Sequence, residues 1–234
     1  MHVRLCVPGR AVGAVAVADA VAVLASGGLD SAILVAQLAG EGRQVTPIYV
    51  RFGLAWEDVE ARHLERFLTA LSSPDLRPLV VLDLPVADIY GKHWSVTGHD
   101  VPDDDSPDEA VYLPGRNLLL LAKSSVWCAL NGISTIALGT LAENPFPDAD
   151  REFFAGFSAL AGRALACPLE VVTPFAGLSK HEVLESGRQF PLDLTFSCIA
   201  PRFDRHCGLC NKCAERQLAF NVLGMADTTD YATP

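Results

Sequence analysis

The sequence of 234 residues predicts an α/β fold with a doubly wound, mostly parallel sheet. Two observations predict it. Short apolar runs recur at 21–25, 44–50, 78–84, 134–139 and 170–174, with helix-like patterns between them. The first run also passes directly into a glycine turn, SGGLDS at 26–31, placed as a central strand hands over to a helix.

The elements follow in chain order. Residues 11–25 are apolar and follow Arg4 and Arg10, so they have the look of a signal-peptide core. Asp19 interrupts the run, and the run is too short to span a membrane. Two strands, at 12–18 and 21–25, are expected instead. Helices are expected at 31–39, 56–71, 116–130, 151–164 and 180–188. The stretch at 97–112, TGHDVPDDDSPDEAVY, is acidic and poor in apolar residues, and reads either as a solvated loop or as a mobile lid. After Pro191 the alternation of strand and helix stops, and the last ten residues read as a frayed tail.

Half the residues are hydrophobic, so the chain can bury a sizeable core. The net charge of -10 argues against non-specific binding along a nucleic-acid backbone, while leaving room for a locally positive anion site. Seven cysteines are present, and four of them fall between 198 and 213. An odd, crowded set points to a metal site in a reducing compartment and not to a disulfide framework.

At the glycine turn, Gly27 and Gly28 carry no Cβ, so backbone N–H groups can close on an anion. The following helix adds the positive end of its dipole. Ser26 and Ser31 supply hydroxyls, and Asp30 suits a Mg²⁺ partner. The stretch therefore reads as a cradle for pyrophosphate and its metal, against a plain strand-to-helix turn capped by Ser or Asp. Neither GxxxxGK[ST] nor GxGxxG occurs. SGGLDS resembles the PP-loop of the N-type ATP pyrophosphatases, which cleave ATP between the α and β phosphates.

Cys198, Cys207, Cys210 and Cys213 are spaced by eight, two and two residues, a pattern that closes a tetrahedron on Zn²⁺. Gly208 permits a tight knuckle. A four-iron cluster uses similar ligands; His206, next to Cys207, is an alternative donor, although four cysteines already satisfy a closed site. Such a closed site is structural. Cys6, Cys128 and Cys167 read as small buried residues.

Together, SGGLDS, LPGRN (113–117), PFPDADREFF (145–154) and the terminal Cys-x8-CGxCxxC resemble the 7-cyano-7-deazaguanine synthase (QueC or ExsB) family over about residues 21–220. The resemblance implies an ATP-dependent C–N ligase of the queuosine pathway. It would adenylate 7-carboxy-7-deazaguanine, admit ammonia to form the amide, and use a second ATP to reach the nitrile. It implies nucleotide binding by Ser26, Gly27, Gly28, Leu29, Asp30 and Ser31. Catalytic roles would fall to Asp30, Ser31, Arg116 and Lys180, and substrate contacts to Arg116, Asn117, Phe146 and Asp148. ATP, Mg²⁺ and Zn²⁺ are the expected cofactors. The expected units are an N-terminal strand extension (1–20), a PP-loop domain (21–190), a zinc-binding element (191–224) and a tail (225–234). The expected setting is cytoplasmic. The expected partners are the deazaguanine acid and ammonia, with a second copy of the chain as a homodimer, and neither nucleic acid nor membrane.

The chain departs from the family at one element. Phe-Pro-Asp-Ala-Asp-Arg (146–151) stands where the family shows Tyr-Pro-Asp-Cys-Arg, and GTLAEN before it is about two residues short. These changes fall on the substrate side. They leave open a paralogue that stops at the amide or passes the acyl group to another amine, such as a protein N-terminus. Two further readings stand beside these: a PP-loop tRNA thiolation enzyme, disfavoured by the net charge, and a nucleotide-binding module without turnover.

Overall fold

The computed structural model describes residues 20–232. The expected strand at 12–18 lies outside them. The chain enters the sheet at β1 (Val21–Leu24) and turns through SGGLDS into α1 (Leu29–Gly40). It continues through β2 (Val45–Arg51), α2 (Glu57–Leu71) and β3 (Val80–Asp83). Two single-turn helices follow, α3 (Ala87–Tyr90) and α4 (Trp94–Thr97), neither of which the sequence pattern suggests. Then come α5 (Arg116–Leu130), β4 (Thr135–Ala137), α6 (Arg151–Leu165), β5 (Glu170–Val172), α7 (Lys180–Ser186) and α8 (Asn211–Val222).

The strands are all parallel, in the order β3-β2-β1-β4-β5. Side chains alternate between faces with the period of a strand. Ala22, Leu24, Ile48 and Val50 pack on one side with α5, α6 and the four cysteines, while Val21, Val23, Val45 and Tyr49 pack on the other with α1, α7 and the distal half of α2. Both faces are covered, as a parallel sheet requires. The order reverses between β1 and β4, so the crevice beyond their carboxyl ends is the expected ligand position. Gly139, just past β4, makes that crevice possible. A Cβ there would stand 3.1 Å from the backbone carbon of Asp30.

The outer segments bear on three expectations. The acidic stretch at 97–112 is mostly exposed, as the solvated-loop reading expects, but it is tied down at several points. Asn211 N–H donates to Pro102 O at 3.0 Å, Asn211 Nδ2 donates to Ser106 O at 2.8 Å, and Asp103 pairs with Cys210. Its Val111 lines a cavity, so the stretch is a pinned wall. After Pro191 no further strand joins the sheet among the described residues, as expected, and one helix, α8, follows the cysteine knuckle. Its buried side includes Cys213, Arg216, Ala219 and Phe220, and counting only apolar residues hides that period. The tail is not frayed over its described part. Arg216 donates from Nε to Thr229 Oγ1 at 2.7 Å and from Nη1 to Thr195 Oγ1 at 2.8 Å, while Tyr231 stacks edge-on to His206.

Candidate active site

The glycine turn takes its shape from Gly27, whose φ of +82° lies in the left-handed region. A Cβ at Gly27 would meet Leu64 Cβ at 3.2 Å and Glu60 O at 3.3 Å. Phe196 N–H donates to Gly27 O at 2.7 Å, which fixes the turn from the Cys-bearing segment. Within the turn, Ser26 N–H donates to Ser31 Oγ at 3.2 Å, and Ser31 Oγ donates to Gly28 O at 3.2 Å. Gly28 caps α1 without a side-chain acceptor, so the first N–H groups of the helix are left to a ligand. Leu29 points into the core at 2% exposure, so only its backbone can serve the turn.

Asp30 heads a charge network. Its Oδ2 lies 2.8 Å from Lys180 Nζ, and Lys180 Nζ lies 2.9 Å from Glu215 Oε1. Lys212 Nζ sits on the other Glu215 oxygen at 2.6 Å. Burial works against the Lys180 ammonium, but the carboxylates of Asp30 and Glu215 outweigh it and raise the pKa. Burial likewise works against the Glu215 carboxylate, yet Lys180 and Lys212 hold it down at about 2. Asp30 Oδ1 is buried and has no hydrogen-bond partner. A hard divalent cation is bound by such an oxygen, so the donor set fits Mg²⁺.

Two cavities meet at this network. The first, of about 200 Å³, is lined by strand-end aliphatics that include Leu24, Ile48, Val50 and Leu138, and by Thr140. The second, of about 270 Å³, is lined by Trp56, Trp94, Leu113, Phe146 and Phe196, with Lys180 and Lys212. Ser26, Asp30, Glu60, Arg116 and Asn144 line both. Trp56 and Trp94 stack with centroids 5.7 Å apart, and Phe146 stacks on Tyr112 at 5.0 Å. These flat walls suit a planar ring.

Arg116 opens α5 beside Gly115, and its Nε is buried without a hydrogen-bond partner. Glu60 is 9% exposed and accepts from Tyr49 Oη at 2.7 Å. Burial pushes the Glu60 carboxyl up to about 7, against the nearby Arg116 guanidinium. Glu57 is also buried, but it accepts from the Gly53 N–H at 2.8 Å and from Arg51 Nε at 3.0 Å, which is a loop-holding role.

Of the sequence-singled residues, Ser26, Asp30, Ser31, Arg116, Asn117 and Lys180 come together around the cavities, and Phe146 joins the second. Asp148 does not line them. It accepts from Asn117 N–H at 2.9 Å and so caps α5, while Asn117 Nδ2 donates to Asp148 O at 3.0 Å. Asp150 caps α6 by accepting from Phe153 N–H at 2.7 Å, and Arg151 is exposed at the helix start. Sequence reasoning missed Tyr49, Glu60, Thr140, Lys212, Glu215 and Arg216. Glu57 and Glu60 carried a faint signal, an acidic pair three apart, but it reads as ordinary first-turn charge bias.

The cysteines form a separate buried centre. The Sγ atoms of Cys198, Cys207, Cys210 and Cys213 all lie within 4.8 Å of one another, with 3.9 Å between Cys207 and Cys213 and between Cys198 and Cys210. Four sulfurs about 2.3 Å from a tetrahedral Zn²⁺ stand roughly 3.8 Å apart, so the set fits the ion. Gly208 adopts φ +83°, and N–H groups of Cys207 and Cys210 point at ligand sulfurs at 3.2 and 3.3 Å. His206 is not a competing donor, because its Nε2 accepts from Ser197 N–H at 3.0 Å. Cys128 and Cys167 are buried away from this centre, and Cys6 lies outside the described residues.

Comparison with known proteins gives concordant matches. A 7-cyano-7-deazaguanine synthase of Syntrophobacter fumaroxidans is 32% identical over 89% of this chain and 94% of its own length. Counterparts from Koribacter versatilis, at 29% over 90% and 92%, and Sulfolobus acidocaldarius, at 30% over 89% and 47%, are similar. The chain thus spans about half the length of the Sulfolobus relative and nearly all of the other two. No helix among the described residues is long and apolar enough to cross a membrane. The family model for queuosine biosynthesis protein QueC matches residues 20–224, and the chain belongs to that family.

Proposed function

We propose that this protein is a 7-cyano-7-deazaguanine synthase. The observation that carries the reading is the meeting of an aliphatic cavity and an aromatic cavity at one rim, formed by Ser26, Asp30 and Arg116. The first cavity takes the adenosine of ATP, with its α-phosphate at the rim. The aromatic walls of the second take 7-carboxy-7-deazaguanine. The substrate carboxylate then attacks the α-phosphate, pyrophosphate leaves, and the acid carries AMP as a leaving group. Ammonia displaces AMP to give the amide. The amide oxygen attacks a second ATP in the same way, and loss of AMP and of both amide N–H protons leaves the nitrile.

The residues divide this work. Backbone N–H groups at Gly28 and the start of α1 hold phosphate oxygens. Arg116 offers its unpartnered Nε to the α-phosphate as charge shifts toward it. Lys180 leaves Asp30 for the departing pyrophosphate. Glu60 lines both cavities, and its carboxyl titrates near neutrality, so it is placed to take the proton that ammonia sheds. Asp30 would hold Mg²⁺, which would supply positive charge against the phosphate oxygens. The four cysteines would hold Zn²⁺, which fixes the fold of the segment at 198–213 and keeps the setting to a reducing compartment such as the cytoplasm.

The test is a mass spectrum of the product formed from 7-carboxy-7-deazaguanine, ATP, Mg²⁺ and ammonium, with pyrophosphate measured in parallel. The nitrile is expected, with two pyrophosphates released per nitrile. Absence of acid-dependent pyrophosphate release overturns the reading.

A further inference from the structure

The helix that begins at the cysteine centre also reaches the nucleotide turn. Cys210 caps α8 and Cys213 lies in its first turn. The residues between and just after them, Lys212 and Glu215, face the other way and line the second cavity beside Lys180 and Asp30. A third cavity, of about 300 Å³, is lined by the same four residues. Glu215 divides its oxygens, giving Oε1 to Lys180 at 2.9 Å and Oε2 to Lys212 at 2.6 Å. The four charges sum to zero. Two ammonium groups are therefore stored next to the phosphate-binding turn, each tied to a carboxylate that an incoming polyphosphate can replace.

We infer that Lys212 is a second pyrophosphate-binding lysine beside Lys180, and that Glu215 is the positioning residue that limits how tightly the pair grips. The inference rests on the ATP-cleaving reading above. Its physical basis is competition. A pyrophosphate between the cavities attracts both lysines, and every contact it gains must loosen a tie to Glu215 or Asp30. Too strong a grip would trap the product. An anionic neighbour that shares the same two lysines weakens the grip and favours release. Lys212 sits between Cys210 and Cys213, so the fold of the cysteine centre sets where this lysine stands.

The experiment measures equilibrium binding of inorganic pyrophosphate with Mg²⁺ to the full-length, metal-loaded chain by calorimetry, with thermal melts and metal content as fold controls. Lys212→Ala should weaken binding about tenfold, and Lys212→Arg should keep it near wild type. Glu215→Gln should tighten it about tenfold, because it frees Lys212 and removes a negative charge. The opposite signs are the signature, since damage to packing weakens both. Binding that falls in both Lys212→Ala and Glu215→Gln, or changes in neither, overturns the inference. If Glu215→Gln does not fold, the Lys212→Ala and Lys212→Arg pair decides it. A wild-type chain that binds neither ATP nor pyrophosphate overturns the ATP reading itself.

Discussion

Lys180 Nζ lies 2.8 Å from Asp30 Oδ2, although 150 positions separate the two residues in the chain. The contact joins the N-terminal turn of α1 to the start of α7 across the switch point of the sheet. It occupies one oxygen of Asp30 and leaves the other buried and unpartnered. A carboxylate held half-satisfied beside a glycine turn is poised for a cation.

Asp30→Ala should therefore lower ATP-dependent pyrophosphate release by about a hundredfold or more while the fold persists. Asp30 is not fully buried, and Lys180 keeps Glu215 as a partner when Asp30 is removed. Pyrophosphate release and a thermal melt check both halves. Release near the wild-type rate would remove Asp30 from the reaction.

Purified protein should carry about one zinc per chain, and Cys210→Ser should lose it. The loss should lower stability by about 3 kcal/mol or more, which for a domain of this size is a drop in Tm of about 6–12 °C. Cys210 also pairs with Asp103, and Asn211 holds Pro102 and Ser106, so the acidic wall should loosen as well. Limited proteolysis should then cut within 97–112 faster than in wild type. Iron with a visible absorption band, or no metal at all, contradicts the zinc assignment.

Glu60 gives a pH signature. Burial raises its carboxyl from 4.5 to about 7 in the folded chain. A raised folded pKa means that folding takes up a proton between these values. The neutral acid's contribution is present in full below about 4.5 and is lost as pH rises through about 7. The loss amounts to roughly 3 kcal/mol. Glu60→Gln retains an acceptor for the Tyr49 hydroxyl and carries no charge. It should match wild type near pH 4.5 and exceed it by roughly 3 kcal/mol at pH 8 in urea unfolding. Parallel curves for the two proteins would contradict the buried, near-neutral carboxyl.

What the sequence made legible is what local pattern encodes. The five apolar runs are β1 to β5 within a residue or two; the central strands β1 and β2 are buried on both faces and so read as continuous apolar runs. The four cysteines and SGGLDS declare themselves by spacing. Lys212, Glu215 and Thr140 were not legible, because their roles arise only where α8 and the end of β4 are brought against α1. Arg216 was hidden for another reason. It is 1% exposed and satisfied by neutral oxygens, a placement that a charged residue rarely takes. Asp148 was hidden likewise, since its buried carboxylate accepts from the α5 backbone.

The division of the site into two cavities is the part most open to direct test, because each cavity has a residue that the other lacks. Thr140 lines the first and not the second, and its Oγ1 is buried with no hydrogen-bond partner. Thr140→Val keeps the shape and removes that oxygen. If ATP supplies the missing partner, the KM for ATP should rise by about tenfold, as a lost hydrogen bond of about 1–1.5 kcal/mol requires, with the KM for the deazaguanine acid unmoved. Phe146 lines the second cavity and not the first, and stacks on Tyr112. Phe146→Ala should raise the KM for the acid by about tenfold and spare ATP. Phe146→Tyr should keep the stack and place a hydroxyl where the family carries one, and product mass spectra would show whether it shifts the nitrile-to-amide ratio. Ala149→Cys should not shift that ratio, since Ala149 packs against the apolar cluster and lines neither cavity. Crossed effects, with Thr140→Val acting on the acid or Phe146→Ala acting on ATP, would reverse the assignment of the two cavities.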